Sequence, residues 1–182
     1  KKYARKKLSL PLKSKIIIFI GHLEKLKGSL LLLNAFNILR EEIPDSYLLI
    51  SGKIGKGVDI GQKNIIFRAF PKRGEVVLGI NAADVAVLPN PVNAFTKYCF
   101  PYKLLEYMAC KAPIVATDIG DVSLVLKKYP GSLCRPNDVN DLAEKMIAQL
   151  GKNRKVNYGK EVESREWGIL ADKVDKILVK VK

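Results

Sequence analysis

Residues 15–36 read KIIIFIGHLEKLKGSLLLLNAF. The first six are β-branched or apolar with no polar alternation, the pattern of a strand covered on both faces. Gly21 ends that strand. Beyond Gly28, the residues Leu31, Leu32, Ala35, Phe36 and Leu39 recur at helical spacing, and Ser29 stands where an N-cap belongs. A doubly buried strand, a glycine-bearing loop and an amphipathic helix together make the repeating unit of a parallel sheet.

The unit recurs along the chain. Strands are expected at 47–50, 64–67, 85–88, 114–116 and 132–134. Helices are expected at 74–82, 101–110, just after Gly120, at 138–150 and from about Ser164 to the end. Residues 1–14 read as a basic linker in which Pro11 breaks any helix, and residues 15–182 as the domain. The alternation implies an α/β, Rossmann-like doubly wound parallel sheet with helices on both faces. In such sheets ligands bind beyond the carboxyl ends of the strands. The loops of interest are therefore 21–28, 52–57, 68–73, 89–100 and 117–121.

Composition narrows the function. At 48% hydrophobic residues the 182-residue chain is globular. Its apolar runs fall well short of the roughly 20 residues that a membrane span requires, and there is no secretory signal. Cys99, Cys110 and Cys134 are an odd number without metal-ligand spacing, and read as reduced, packing thiols of a cytoplasmic protein. The net charge of +14 calls for an anionic partner, or else is a lysine-rich solvated surface. The lysines spread over loops and tails instead of one face with interleaved aromatics, which argues against nucleic acid. Contact with an anionic membrane surface, peripheral and on its cytoplasmic face, remains open.

Two segments carry anion chemistry. In GHLEKLKG (21–28), Gly21 and Gly28 let backbone approach a ligand closely, and Lys27 precedes a helix start. A plain turn with a surface lysine is the alternative. In FPYKLLEYMACKAPIVATDIG (100–120), Pro101 suits a first helical turn, so the amides of Tyr102 and Lys103 point outward. Glu106, one turn on, has a carboxylate able to accept two hydroxyl hydrogen bonds from a ribose; pairing with Lys103 or Lys111 is its other reading. Lys53 and Lys56 read as a solvated loop, Asp84 as a structural cap of its strand, Asp118 and Asp121 as turn formers or hydroxyl ligands, and Trp167 as a packing anchor.

Taken in series, these segments resemble the C-terminal, donor-binding domain of the retaining GT-B glycosyltransferases, the mannosyltransferase-like and sucrose-synthase-like enzymes of group 1. GHLEKLKG followed by SLLLLNAF is similar to the family's G-R-L-x-x-x-K-G loop and Leu-rich helix. YCFPYKLLEYMACKAPIVATDIG is similar to its E-x-F-G-x-x-x-x-E-A-M-A-x-G-x-P-V-V-A-T-D. ADVAVLPN, NIIFRAF and REW resemble further family segments, over roughly residues 15–180.

The resemblance implies a retaining hexosyltransferase that uses a nucleotide-diphosphate sugar and no metal or other cofactor. It implies an N-terminal acceptor domain outside this chain, and weak or absent turnover by this domain alone. It also implies roles: Lys27 and His22 at the pyrophosphate, Gly21 and Gly28 shaping the loop, Phe100, Tyr102, Lys103 and Leu104 cradling the distal phosphate, Ala69 and Phe70 holding the base through backbone, and Glu106 on the ribose. Three residues depart from the pattern. His22 replaces an arginine, Tyr98 replaces the first glutamate, and Pro101 replaces a glycine. A non-catalytic basic module that binds nucleic acid or membrane is the rival reading.

Overall fold

The computed structural model describes residues 1–152 and 155–180, the last by its backbone alone. In chain order the elements are α1 (Lys2–Lys7), β1 (Lys15–Ile20), α2 (Ser29–Glu42), β2 (Ser46–Ser51), β3 (Ile65–Phe67), α3 (Arg73–Ala82), β4 (Val85–Leu88), α4 (Ala94–Tyr98), α5 (Lys103–Ala109), β5 (Ile114–Thr117), α6 (Gly120–Leu126), β6 (Leu133–Cys134), α7 (Val139–Lys152), α8 (Gly159–Glu163) and α9 (Trp167–Lys180). A single 3-10 turn, Lys25–Lys27, precedes α2.

All six strands form one parallel sheet in the order β3-β2-β1-β4-β5-β6. The period-2 geometry of a strand explains the unbroken apolar runs. Ile16, Ile18 and Ile20 point to one face, against Ile80 of α3, Leu104 and Tyr107 of α5 and Val125 of α6. Ile17 and Phe19 point to the other face, against Phe36 and Leu39 of α2 and Leu142 and Met146 of α7. Each strand residue is thus buried whichever way it points.

The chain winds outward from β1 through β2 to β3, then returns to the other side of β1 for β4. The winding reverses between β1 and β4, where a doubly wound sheet leaves a crevice at its carboxyl edge. Pairing of β1 with β4 covers only Ile17 with Val85 and Ile18 with Ala86, so the two strands part before β1 ends.

Several local expectations are corrected. Residues 1–14 are not a bare basic linker. Ala4, Leu8 and Leu10 are buried in α1 and the turn after it, and Pro11 comes four residues after the helix has ended. Arg5 is 3% exposed; its guanidinium donates to Ala82 O (2.8 Å), Ser14 O (2.8 Å) and Leu12 O (3.0 Å) and pairs with Asp84 at 2.7 Å. Asp84 is structural: it also accepts the Ile16 N–H at 2.7 Å and so joins α1 to the start of β1.

Ser29 does not cap α2. Gly28, at φ 83°, is the N-cap, and the Ser29 hydroxyl lies buried without a hydrogen-bond partner among the described residues. The last helix begins at Trp167, with the short α8 before it. Helix α4 occupies a stretch read as loop, capped by Asn93, whose side chain accepts the Thr96 N–H while Thr96 returns a bond to the Asn93 N–H.

Candidate functional site

The crevice between β1 and β4 opens into a cleft of about 200 Å³. Its floor is apolar, made by Phe19, Ile20 and Leu88 from the strand ends; Lys27, His22 and Lys103 bring polar and charged groups to it. The loop after β1 is held on the side of β2: the Gly21 N–H donates to Ser51 O (2.8 Å), the Leu23 N–H to Lys53 O (2.8 Å) and the Gly55 N–H to Leu23 O (2.9 Å). At its far end Gly28 adopts a left-handed φ of 83°, and a Cβ there would collide with the Pro89 carbonyl after β4. Only glycine gives both that φ and that approach.

Lys27 leaves this loop over the cleft. Its ammonium is 3.3 Å from Glu24 and 5.7 Å from the centre of the Phe95 ring. Lys103 reaches the cleft from the opposite wall and lies across Gly21, where a Cβ would come within 2.7 Å of its Cε. The absence of a side chain at Gly21 therefore makes room for the second lysine.

The backbone entering α5 is divided in use. Among the described residues no hydrogen bond engages the amides of Tyr102 or Lys103, both of which line the cleft. The Leu104 N–H is already bonded to Pro101 O at 2.8 Å and its side chain is fully buried.

Of the expected residues, Gly21, His22, Lys27, Phe100, Tyr102 and Lys103 share this cleft. Leu104 is in the core, and Gly28 shapes the loop from beneath without lining the cleft. Ala69 is exposed and the Phe70 ring packs under Gly79 of α3; neither is a wall of the cleft. Glu106 faces away. It is exposed on a groove of about 430 Å³ between α3 and α5, opposite Arg73 and close to Arg165 and Trp167. A third hollow, lined by Phe100, Tyr102, Leu105, Arg165, Trp167 and Leu170, shares wall residues with both, beside the start of α5.

Tyr98 is 77% exposed beneath the Lys97 ammonium, outside the cleft walls. Trp167 is no buried anchor; it is 74% exposed and stacks one face on Tyr102, centroids 6.4 Å apart. Lys53, Lys56, Asp118 and Asp121 are exposed and stand apart from the cleft walls.

Asn90, Phe95 and Thr96 are cleft walls that the sequence reading did not single out, and Cys99, expected as a packing thiol, is exposed on the same cleft. Their signal was the N-cap spacing of Asn93 and Thr96, which announces a helix turn inside the 89–100 loop.

A parallel sheet that reverses direction of winding beside a glycine-shaped loop defines a doubly wound, Rossmann-like α/β domain, here with the fold of the C-terminal half of a GT-B glycosyltransferase. Residues 14–152 match the family described as Glycosyl transferases group 1, and the chain belongs to that family. It is 34% identical over 145 residues to a D-inositol 3-phosphate glycosyltransferase of Corynebacterium urealyticum, covering 71% of this chain and 33% of that protein. It is 28% identical over 144 residues to a putative teichuronic acid biosynthesis glycosyltransferase of Bacillus subtilis, covering 79% and 35%. The chain thus spans about a third of the length of these relatives.

Among solved structures it is similar to the C-terminal domain of a group 1 glycosyl transferase from Francisella tularensis, with a TM-score of 0.68, 21% identity and 89% coverage of both chains. It is also similar to sucrose-phosphate synthase from Thermosynechococcus elongatus, with a TM-score of 0.70, 22% identity, and coverage of 98% of this chain and 48% of that one. Among the described residues no helix is long and apolar enough to cross a membrane.

Proposed function

We propose that the cleft holds the pyrophosphate of a nucleotide-diphosphate sugar. With an acceptor-binding domain of the same polypeptide, this domain would transfer the hexose with retention at the anomeric carbon. The observation that carries the reading is the approach of Lys27 and Lys103 from opposite walls to one cleft at the β1–β4 reversal, with the unbonded amides of Tyr102 and Lys103 beside them.

Loss of a nucleoside diphosphate places growing negative charge on the leaving group. Fixed cations and amide donors aimed at that charge stabilise the transition state without reorganising. In this reading Lys27 and Lys103 supply most of that charge, and His22 adds an imidazole to the same cleft. The metal is then dispensable. From the phosphates the nucleoside would run over the start of α5 into the groove that Glu106 faces, where the carboxylate accepts the ribose hydroxyls, with the base toward Ala69 and Phe70. The family match supports sugar transfer and lends nothing to a non-catalytic nucleic-acid module. Peripheral contact with an anionic membrane is compatible with the charge of +14 and rests on that alone.

The test is thermal. At 100 times its Kd a nucleoside diphosphate stabilises the fold by about 2.7 kcal/mol. UDP, GDP and ADP, tried separately, should include one that raises Tm, and Lys27→Ala should abolish the rise. A shift of equal size in the variant would remove Lys27 from the site.

A further inference from the structure

We infer that Tyr107 is a positioning residue for the donor site, its hydroxyl locking the end of β1 to the helix that brings Lys103. The inference rests on the function proposed above and deepens it. Along β1 the backbone amides alternate in direction. The Gly21 N–H points to β2 and is taken by Ser51 O. The Ile20 N–H therefore points to the β4 side, two residues past the last β1–β4 pair, where β4 has already diverged. The divergence that opens the cleft thus strands a buried amide at its floor. The Tyr107 hydroxyl, from the second turn of α5, accepts that amide at 3.0 Å, on a side chain that is fully buried.

A buried N–H left without a partner costs about 1–3 kcal/mol, so the bond fixes where the loop after β1 leaves the sheet. The hydroxyl donates to no acceptor among the described residues, so what places a tyrosine here is the bond it receives. The consequence is geometric. The loop that starts one residue after Ile20 carries His22 and Lys27, and α5 starts four residues before Tyr107 with Lys103, whose side chain lies over Gly21. One hydrogen bond thus ties the strand that leads into one cationic wall to the helix that carries the other. Sub-ångström misplacement of charges around a phosphate weakens every contact together.

The experiment compares two tyrosine-to-phenylalanine variants of the chain. Tyr158 is the control: it is buried to the same degree, but its hydroxyl donates to Ala112 O at 3.1 Å, outside the cleft walls. Both Tyr107→Phe and Tyr158→Phe should lower Tm. Only Tyr107→Phe should raise the Kd for the nucleoside diphosphate that wild type binds, about five- to tenfold for a loss of this kind. It should also speed hydrogen exchange at the Ile20 amide, read by NMR without ligand. Equal Kd values for wild type and Tyr107→Phe, with wild type binding normally, would overturn the inference and leave the proposed function standing. If wild type binds none of UDP, GDP or ADP, the proposed function falls and the positioning role with it, whatever the exchange rate shows.

Discussion

Cys99 is the residue at which occupancy of the cleft is most easily read. It follows α4, is exposed, and is a wall of the cleft beside Phe100. The other two thiols are withdrawn. Burial pushes Cys134 up to about 12, and burial likewise raises the half-buried Cys110. The thiolate is the reactive form, so both are poor nucleophiles at neutral pH. Iodoacetamide at pH 7.5 should therefore label Cys99 first, by peptide mass spectrometry. A saturating nucleoside diphosphate should slow that labelling severalfold while leaving the buried Cys134, which lines neither the cleft nor the groove, unchanged. Labelling of Cys99 at the same rate with and without a nucleotide known to bind would place the ligand elsewhere.

At the scale of elements, β1, β4 and β5 were legible because burial on both faces leaves an unmistakable run of Ile, Val, Leu and Ala, and α2 because its apolar residues recur at helical spacing. What escaped was held by single side chains. α1 lies in a run of lysines that looks solvated, yet it is fixed by Arg5, which joins the nearby carbonyls of Leu12 and Ser14 to Ala82 O and the Asp84 carboxylate, 77 and 79 residues away. No local pattern encodes such a partner set. The candidate site was half legible for a related reason: loop glycines and lysines can be read in order, but whether Glu106 faces the cleft or the neighbouring groove depends on how α5 is rotated about its axis against the sheet. Removing one partner of a buried ion pair typically costs about 3–5 kcal/mol. Arg5→Met should accordingly lower Tm by on the order of 10 °C in a domain of this size, whereas Lys2→Ala, on the exposed side of the same helix, should change it little. Indistinguishable melting curves for the two would mean that residues 1–14 are the loose tail their composition suggests.

For the molecule as a whole, charge and the closing segment meet at Glu161. This carboxylate in α8 is hydrogen-bonded by Lys128, and by Arg165 at 2.6 Å, and the Lys128 bond first, then Arg165, holds its pKa below the usual value. Lys128 follows α6, so the pair fastens the segment leading to α9 onto the body of the domain. The sign of the linkage is fixed by the depressed pKa: the stabilisation is fully present above the unfolded value, near 4.3, and disappears as pH falls through the folded one. Over the same range the other acids among 18 are neutralised, while the 32 lysines and arginines stay charged, so self-repulsion grows as the clasp weakens. Urea midpoints should be level from pH 7 to pH 5 and fall steeply below about pH 4. In Glu161→Gln the midpoint at pH 7 should already be lower and its further fall on acidification shallower. Added salt should recover part of the acid loss in both proteins, because it screens the repulsion, but should leave the difference in slope. Parallel curves for the two proteins from pH 7 to pH 3 would show that Glu161 does not hold the segment down.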